Sequence, residues 1–268
     1  MTYTPNIKSL TLFFSKFLFY IFIPISLMGM LNPADPPGPD LYNQTYDTLT
    51  LRYNALNGAT NQGLNGYNIE LRNSFMAMRD CVNQTYDWAH HHGQLAEIDF
   101  DKAKLLYDRV VSILGRIATF AASAQTRVAA VQSNVQGAAV LPGDQPILDA
   151  LNQANNIRQQ AKNALDQAQA AANRAQAAVR NARNRRDAAR RTVRQLNQQI
   201  FNNVNYTGAN VTNCNTMFTN VKNNITDANG FARTAKDAAI EIRNEVNNLD
   251  QYMVNIRLQG TNINIQLP

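Results

Sequence analysis

Tyr86-Asp-Trp-Ala-His-His-His-Gly-Gln-Leu-Ala96 decides the architecture of this 268-residue chain. It contains all three histidines of the sequence and a glycine, and a helix that breaks in this half of the protein would break here. The apolar pattern nevertheless runs straight through. Val82, Tyr86, Ala89, Gly93, Ala96, Phe100, Ala103, Tyr107, Val110, Leu114, Ile117, Ala121, Ala124, Val128, Val131 and Val135 alternate spacings of four and three. A loop at His90–Gly93 would reset that phase. Its persistence predicts one long helix over about 67–138, and a sustained heptad predicts helices wound left-handed around one another.

Outward from this stretch the same period recurs twice. Ala161, Leu165, Ala168, Ala172, Ala175, Val179, Ala182, Ala189, Val193, Leu196 and Ile200 mark a second helix over about 147–204, interrupted in register by Arg186. Val211, Cys214, Phe218, Val221, Ile225, Ala228, Ala232, Ala235, Ala239, Ile242, Val246, Leu249, Met253 and Ile256 mark a third over about 211–260. Leu141-Pro-Gly-Asp-Gln-Pro146 and Asn205-Tyr-Thr-Gly-Ala-Asn210 supply the turns between them. The expected fold is all-α, an elongated antiparallel three-helix coiled coil. A four-helix up-down bundle with a turn near His90–Gly93 is the alternative.

The two cysteines serve as a ruler between these alternatives. With turns near residues 142 and 208, Cys81 and Cys214 stand at nearly the same height in a three-helix hairpin. With a further turn at residue 93 they would be roughly 40 Å apart at 1.5 Å per residue, beyond the reach of a disulfide. The three-helix reading therefore carries the expectation of a Cys81–Cys214 bridge. Closing a loop of that size stabilises a chain by roughly 4–5 kcal/mol on the chain-entropy account. The rod would be on the order of 100 Å long.

The N-terminus speaks to location. Lys8 and Lys16 precede an unbroken apolar run, Phe17 to Leu31, and Asp35 and Asp40 follow it. Residues 1–31 are expected to be a signal peptide, or otherwise an uncleaved signal anchor, the only membrane attachment foreseen. By the positive-inside rule either one places the body of the protein outside the cell. Residues 32–66 form a Pro-, Gly- and Asn-rich spacer with a short helix over 41–56, and residues 67–268 form the rod. Five Asn-X-Thr sequons, at Asn43, Asn83, Asn205, Asn210 and Asn224, are candidate N-glycosylation sites of a secreted glycoprotein. Four of them cluster toward the lower turn, which leaves the Leu141–Pro146 tip bare.

Charge is concentrated in one helix. The chain carries a net +6, yet residues 158–194 alone hold ten Lys and Arg against Asp166 and Asp187. Some of these arginines are expected to pair across helices. Arg183, Arg185 and Arg190 stand level with Glu97 and Asp99 at flanking positions that select partners in coiled coils. As a group Arg180, Arg183, Arg185, Arg190, Arg191 and Arg194 form a candidate surface for an acidic polysaccharide or other polyanion. Nucleic acid is not an expected partner. Asn184-Arg-Arg-Asp-Ala-Ala-Arg-Arg places its paired alanines one residue out of step with a leucine-zipper basic region.

Catalytic signatures are missing. There is no phosphate-binding glycine loop, the carboxylates are scattered along helix faces, and adjacent histidines on a helix diverge rather than converge on a metal. No catalytic residue, metal or cofactor is assigned. The expected function is that of a secreted structural or surface-interaction protein that binds a protein or matrix partner or self-associates. A lipid carrier of the exchangeable-apolipoprotein type is the alternative. Against it, an alanine core gains little on transfer to an apolar phase.

Overall fold

A computed structural model describes residues 64–134, 143–196 and 208–265, with Asp47, Leu51 and Gln198 as isolated positions. The expected signal segment, the spacer with its short helix apart from Asp47, Leu51 and residues 64–66, and the sequons Asn43 and Asn205 lie outside the described residues. The described chain is built from three helices: α1 (Leu64–Asn134), α2 (Gln145–Leu196) and α3 (Gly208–Asn262). Each packs on the other two. The fold is the expected all-α three-helix arrangement.

The four-helix alternative is excluded, because α1 runs unbroken for 71 residues through His90–Gly93. It includes residues 64–66 of the turn-rich stretch 57–66, which the sequence predicts to be non-helical, and it is described as far as Asn134. Gly93 is what permits α2 to approach closely at this level. A Cβ built there would lie 2.5 Å from Val179 Cγ2 of α2. The side chain of Val179 occupies the space that any other residue at position 93 would fill. A sequence feature that looks like a breaker is thus a site of close helix approach.

Small residues dominate the core of α2. Every buried residue from Ala154 through Ala189 in that helix is alanine. Alanine combines the highest helix propensity with the smallest side chain, so it favours both a long helix and close backbone packing. The larger side chains come from α1 and α3. Phe75, Met78, Val82, Trp88, Met217, Phe218, Val221 and Ile225 form one cluster near the lower end. Phe100, Leu106, Val110, Ile113, Ile117, Ile242, Val246, Leu249 and Ile256 form a second. Gly93, Ala178 and Ala235 lie between the two clusters, so the core is thinnest at the level of the histidines.

Helix ends are satisfied locally. Asp144 caps α2 as its carbonyl accepts from Leu148 N–H at 3.1 Å, and Pro146 occupies the first turn, where its missing N–H costs nothing. The Asp144 carboxylate also reaches back to α1. It accepts from Arg127 Nε at 3.2 Å and pairs with the Nη2 of the same residue. At the far end of α3, Asn264 adopts a left-handed φ of 59°. Asn264 N–H donates to Thr261 O and Ile265 N–H to Gly260 O, both at 3.0 Å. This is a Schellman closure with asparagine in the usual glycine position.

Cross-helix pairs fix the register. Thr85–Asn229 and Asp99–Arg243 both join α1 to α3 with a separation of 144 residues. The two helices run parallel, with antiparallel α2 between them in sequence. Cys81 therefore stands level with residue 225, whereas Cys214 stands level with residue 70, eleven residues or roughly 16 Å away along the axis. A disulfide needs Cα atoms within about 7 Å. The expected Cys81–Cys214 bridge within one chain does not fit this register. The ruler misled because α1 and α2 pair about position 136, as Arg127–Asp144 and Asn83–Arg190 show, and not about residue 142.

Candidate functional site

The features that sequence singles out fall into two places: the thin level around the histidines and the outer face of α2.

At the histidine level the three rings diverge, as adjacent residues on a helix must. His90 is exposed and lies 5.8 Å from the Tyr86 ring on the side facing α2. His92 is buried and meets the edge of Trp88 at 4.4 Å, while His91 contacts His92 at 5.3 Å. Lys236 of α3 places its ammonium 5.6 Å from the centre of the buried Trp88 ring. Among the described residues no group of three histidine, cysteine or carboxylate side chains is gathered for a metal. Trp88 is core packing, with the Lys236 ammonium and the His92 ring as neighbours.

The arginines of α2 divide into two sets. The first is engaged within the protein. Arg174 pairs with Glu241 and Arg185 with Asp227 at 3.2 Å, both carboxylates belonging to α3. Arg186 lies 4.0 Å over the Tyr86 ring and 3.0 Å from Asp187, and Arg190 donates to Asn83 Oδ1 at 2.8 Å. The expected pairing across helices thus exists, but its partners differ. Asp99 is taken by Arg243 of α3 at 3.2 Å, and no ion pair joins Glu97 to Arg183, Arg185 or Arg190 among the described residues. These pairs are half-exposed and each contributes on the order of 0–1 kcal/mol, which sets alignment more than stability.

The second set is Arg180, Arg183, Arg191 and Arg194. All four are exposed and make no ion pair among the described residues. At 100° per residue they fall within about 80° of arc on one side of α2. Ala178, Ala182 and Ala189 occupy the opposite side and are buried. The stripe is about 21 Å long at 1.5 Å per residue. Beside Arg180 and Arg183, the seam between α1 and α2 opens into a groove of about 330 Å³ whose polar lining includes His90, Gln94, Glu97 and Gln176. Sequence reasoning found the arginines but not this groove, since nothing in one helix announces which residues of its neighbour will flank it.

The sequons have structural occupations. Asn83 accepts from Arg190, and Thr85 of the same sequon is fully buried, with its hydroxyl directed at Cys81 O (2.9 Å) and Asn229 Oδ1 (3.1 Å). Asn224 Nδ2 donates to Asn220 O at 2.8 Å within α3. Asn210 lies in the first turn of α3. Cys81, one turn before Thr85, is buried, and burial pushes its thiol up to about 11, only partly offset by the hydrogen bond with Thr85. Such a thiol is almost wholly protonated near neutral pH and a poor nucleophile.

Among the described residues no helix is long and apolar enough to cross a membrane. Comparisons with protein families, curated proteins and solved structures find no match to this chain.

Proposed function

We propose that this protein is a non-catalytic spacer or surface-interaction rod that works outside the cell. The observation that carries this reading is the unbroken 71-residue α1, packed along its length by two further long helices on an alanine-lined seam. Such a helix spans on the order of 105 Å. A structure this long and this thin in core sets a distance and presents faces. Among the described residues it offers shallow seams, unlike the enclosed, mostly apolar cavity in which catalysis usually takes place. The exterior location rests on the Lys8/Lys16-flanked apolar run of the N-terminus and on the sequons. A lipid-carrier function is disfavoured by the buried face of α2: opening it onto lipid would expose little beyond alanine methyls.

The test is to express the full chain in a eukaryotic secretory cell and follow it by surface biotinylation and by mobility before and after N-glycosidase. The expected result is a chain outside the cell or on its outer face, shifted by the glycosidase through sequons other than Asn83. A chain confined to the cytosol would overturn the reading.

A further inference from the structure

We infer that the outer face of α2 from Arg180 to Arg194, together with the adjoining α1–α2 groove, is a binding surface for a linear sulfated polysaccharide. The surface belongs to the same rod, and its physiological ligand presupposes the exterior location proposed above.

The first ground is a division of labour along one helix. Arg174, Arg185, Arg186 and Arg190 are each turned to a neighbour inside the protein. Arg180, Arg183, Arg191 and Arg194 are turned away from the core and have no ion-pair partner among the described residues. They come as two i, i+3 pairs whose centres lie about 16 Å apart along the axis. Each pair presents two planar forks on one face, the arrangement that suits sulfate or carboxylate oxygens. Asp187 lies between the pairs, and its charge is held by Arg186 at 3.0 Å.

The second ground is the groove beside the first pair. Its volume of about 330 Å³ is at the small end of ligand sites and suits a single sugar ring. Gln94 and Gln176 bring donors and acceptors suited to hydroxyl groups, with the His90 ring beside them. The Glu97 carboxylate faces the same groove and disfavours an anion close to it, so sulfates are placed on the arginine side.

Other polyanions fit less well. Single-stranded nucleic acid is held by rows of aromatic platforms; the groove has only the Tyr86 ring, covered by Arg186 at 4.0 Å, and the His90 imidazole among its described lining residues. An anionic membrane is gripped by a basic face flanked by large apolar residues. The positions between these arginines on the outer face are Asn184 and Asp187. A row of arginines along one face of a long helix matches a linear, uniformly charged chain.

The test is calorimetric titration of the purified full chain with a heparin dodecasaccharide at physiological salt. The site variant R180Q/R183Q/R191Q/R194Q is compared with a charge-matched control, K102Q/R109Q/R116Q/R158Q, both checked for helicity and melting. The wild type is expected to bind, the site variant to lose more than tenfold in affinity with a smaller salt dependence, and the control to stay within about threefold. Equal losses in both variants would show a net-charge effect and overturn the surface. No binding, equal binding of a desulfated dodecasaccharide, or tighter stripe-dependent binding of a 30-base-pair duplex would overturn the ligand assignment. Because the measurement uses purified protein, its outcome is separate from whether the chain is found outside the cell.

Discussion

Thr85 of α1 and Asn229 of α3 form a buried polar pair, hydroxyl to carboxamide at 3.1 Å, in a core made mostly of apolar side chains. A heptad core lined by alanine repeats itself every two turns, and one alanine layer resembles the next. A polar pair that is satisfied in only one alignment distinguishes them, as single buried polar residues do in other coiled coils. T85V removes the donor and leaves the Asn229 oxygen short of it, so it is expected to cost about 1–3 kcal/mol. The double variant T85V/N229L should recover part of that loss, measured by urea melts. If T85V melts with the wild type, the pair has no role in stability.

Gly93 and Val179 make a second, steric alignment. Alanine at position 93 gains roughly 1 kcal/mol in helix propensity but meets Val179 Cγ2 at 2.5 Å. Overpacking of this kind costs about 1–3 kcal/mol. The β-branched valine has no flexible end to swing aside, so G93A is expected to be net destabilising. G93A/V179A should be more stable than G93A alone. A G93A protein that melts above the wild type would show that the helices do not approach at this level.

Asp144 gives the fold an acid limb. Its carboxyl lies below the ordinary 3.8, chiefly because Arg127 hydrogen-bonds to the charged form, with burial opposing. A lowered folded value means that the unfolded chain takes up the proton first. The stabilisation is therefore full above about pH 4 and is lost as the pH falls through the folded value. D144N keeps the shape of the side chain and the main-chain bond to Leu148 but loses the ion pair. The melting difference between wild type and D144N is expected to shrink as the pH is lowered from 6 to 2. A difference independent of pH would show that the Arg127–Asp144 ion pair does not carry it.

The cysteines offer a check on the register. With Cys81 level with residue 225 and Cys214 level with residue 70, peptide mapping of the native, non-reduced chain should find no Cys81–Cys214 crosslink within one molecule. Recovery of that crosslink in a folded monomer would require α3 to slide by about eleven residues relative to α1.

Much of this was legible in the residues. The fours and threes running through Gly93 foretold the unbroken α1, and the alanine rows foretold a thin core. Register was harder to read. Pro142 and Pro146 mark where a helix cannot continue, which differs from where the antiparallel pairing is centred, and an error of six positions there doubles on crossing to the next helix. The partners of the arginines were missed for a related reason. Periodicity tells which face a residue occupies, but with two neighbouring helices Arg185 had the choice of α1 or α3 and took Asp227 of α3. The burial of Thr85 was not legible either, since the sequon motif cannot reveal that its threonine is packed in the core.

The central claim is that α1 passes through His90–Gly93 without turning. Double electron–electron resonance between labels at the exposed positions Gln84 and Lys102, introduced as unnatural amino acids so that both cysteines stay in place, tests it directly. Eighteen residues of continuous helix put the two positions about 27 Å apart. A hairpin centred on residue 93 would bring them to about 10 Å, the distance between packed helices, and that result would contradict the three-helix rod.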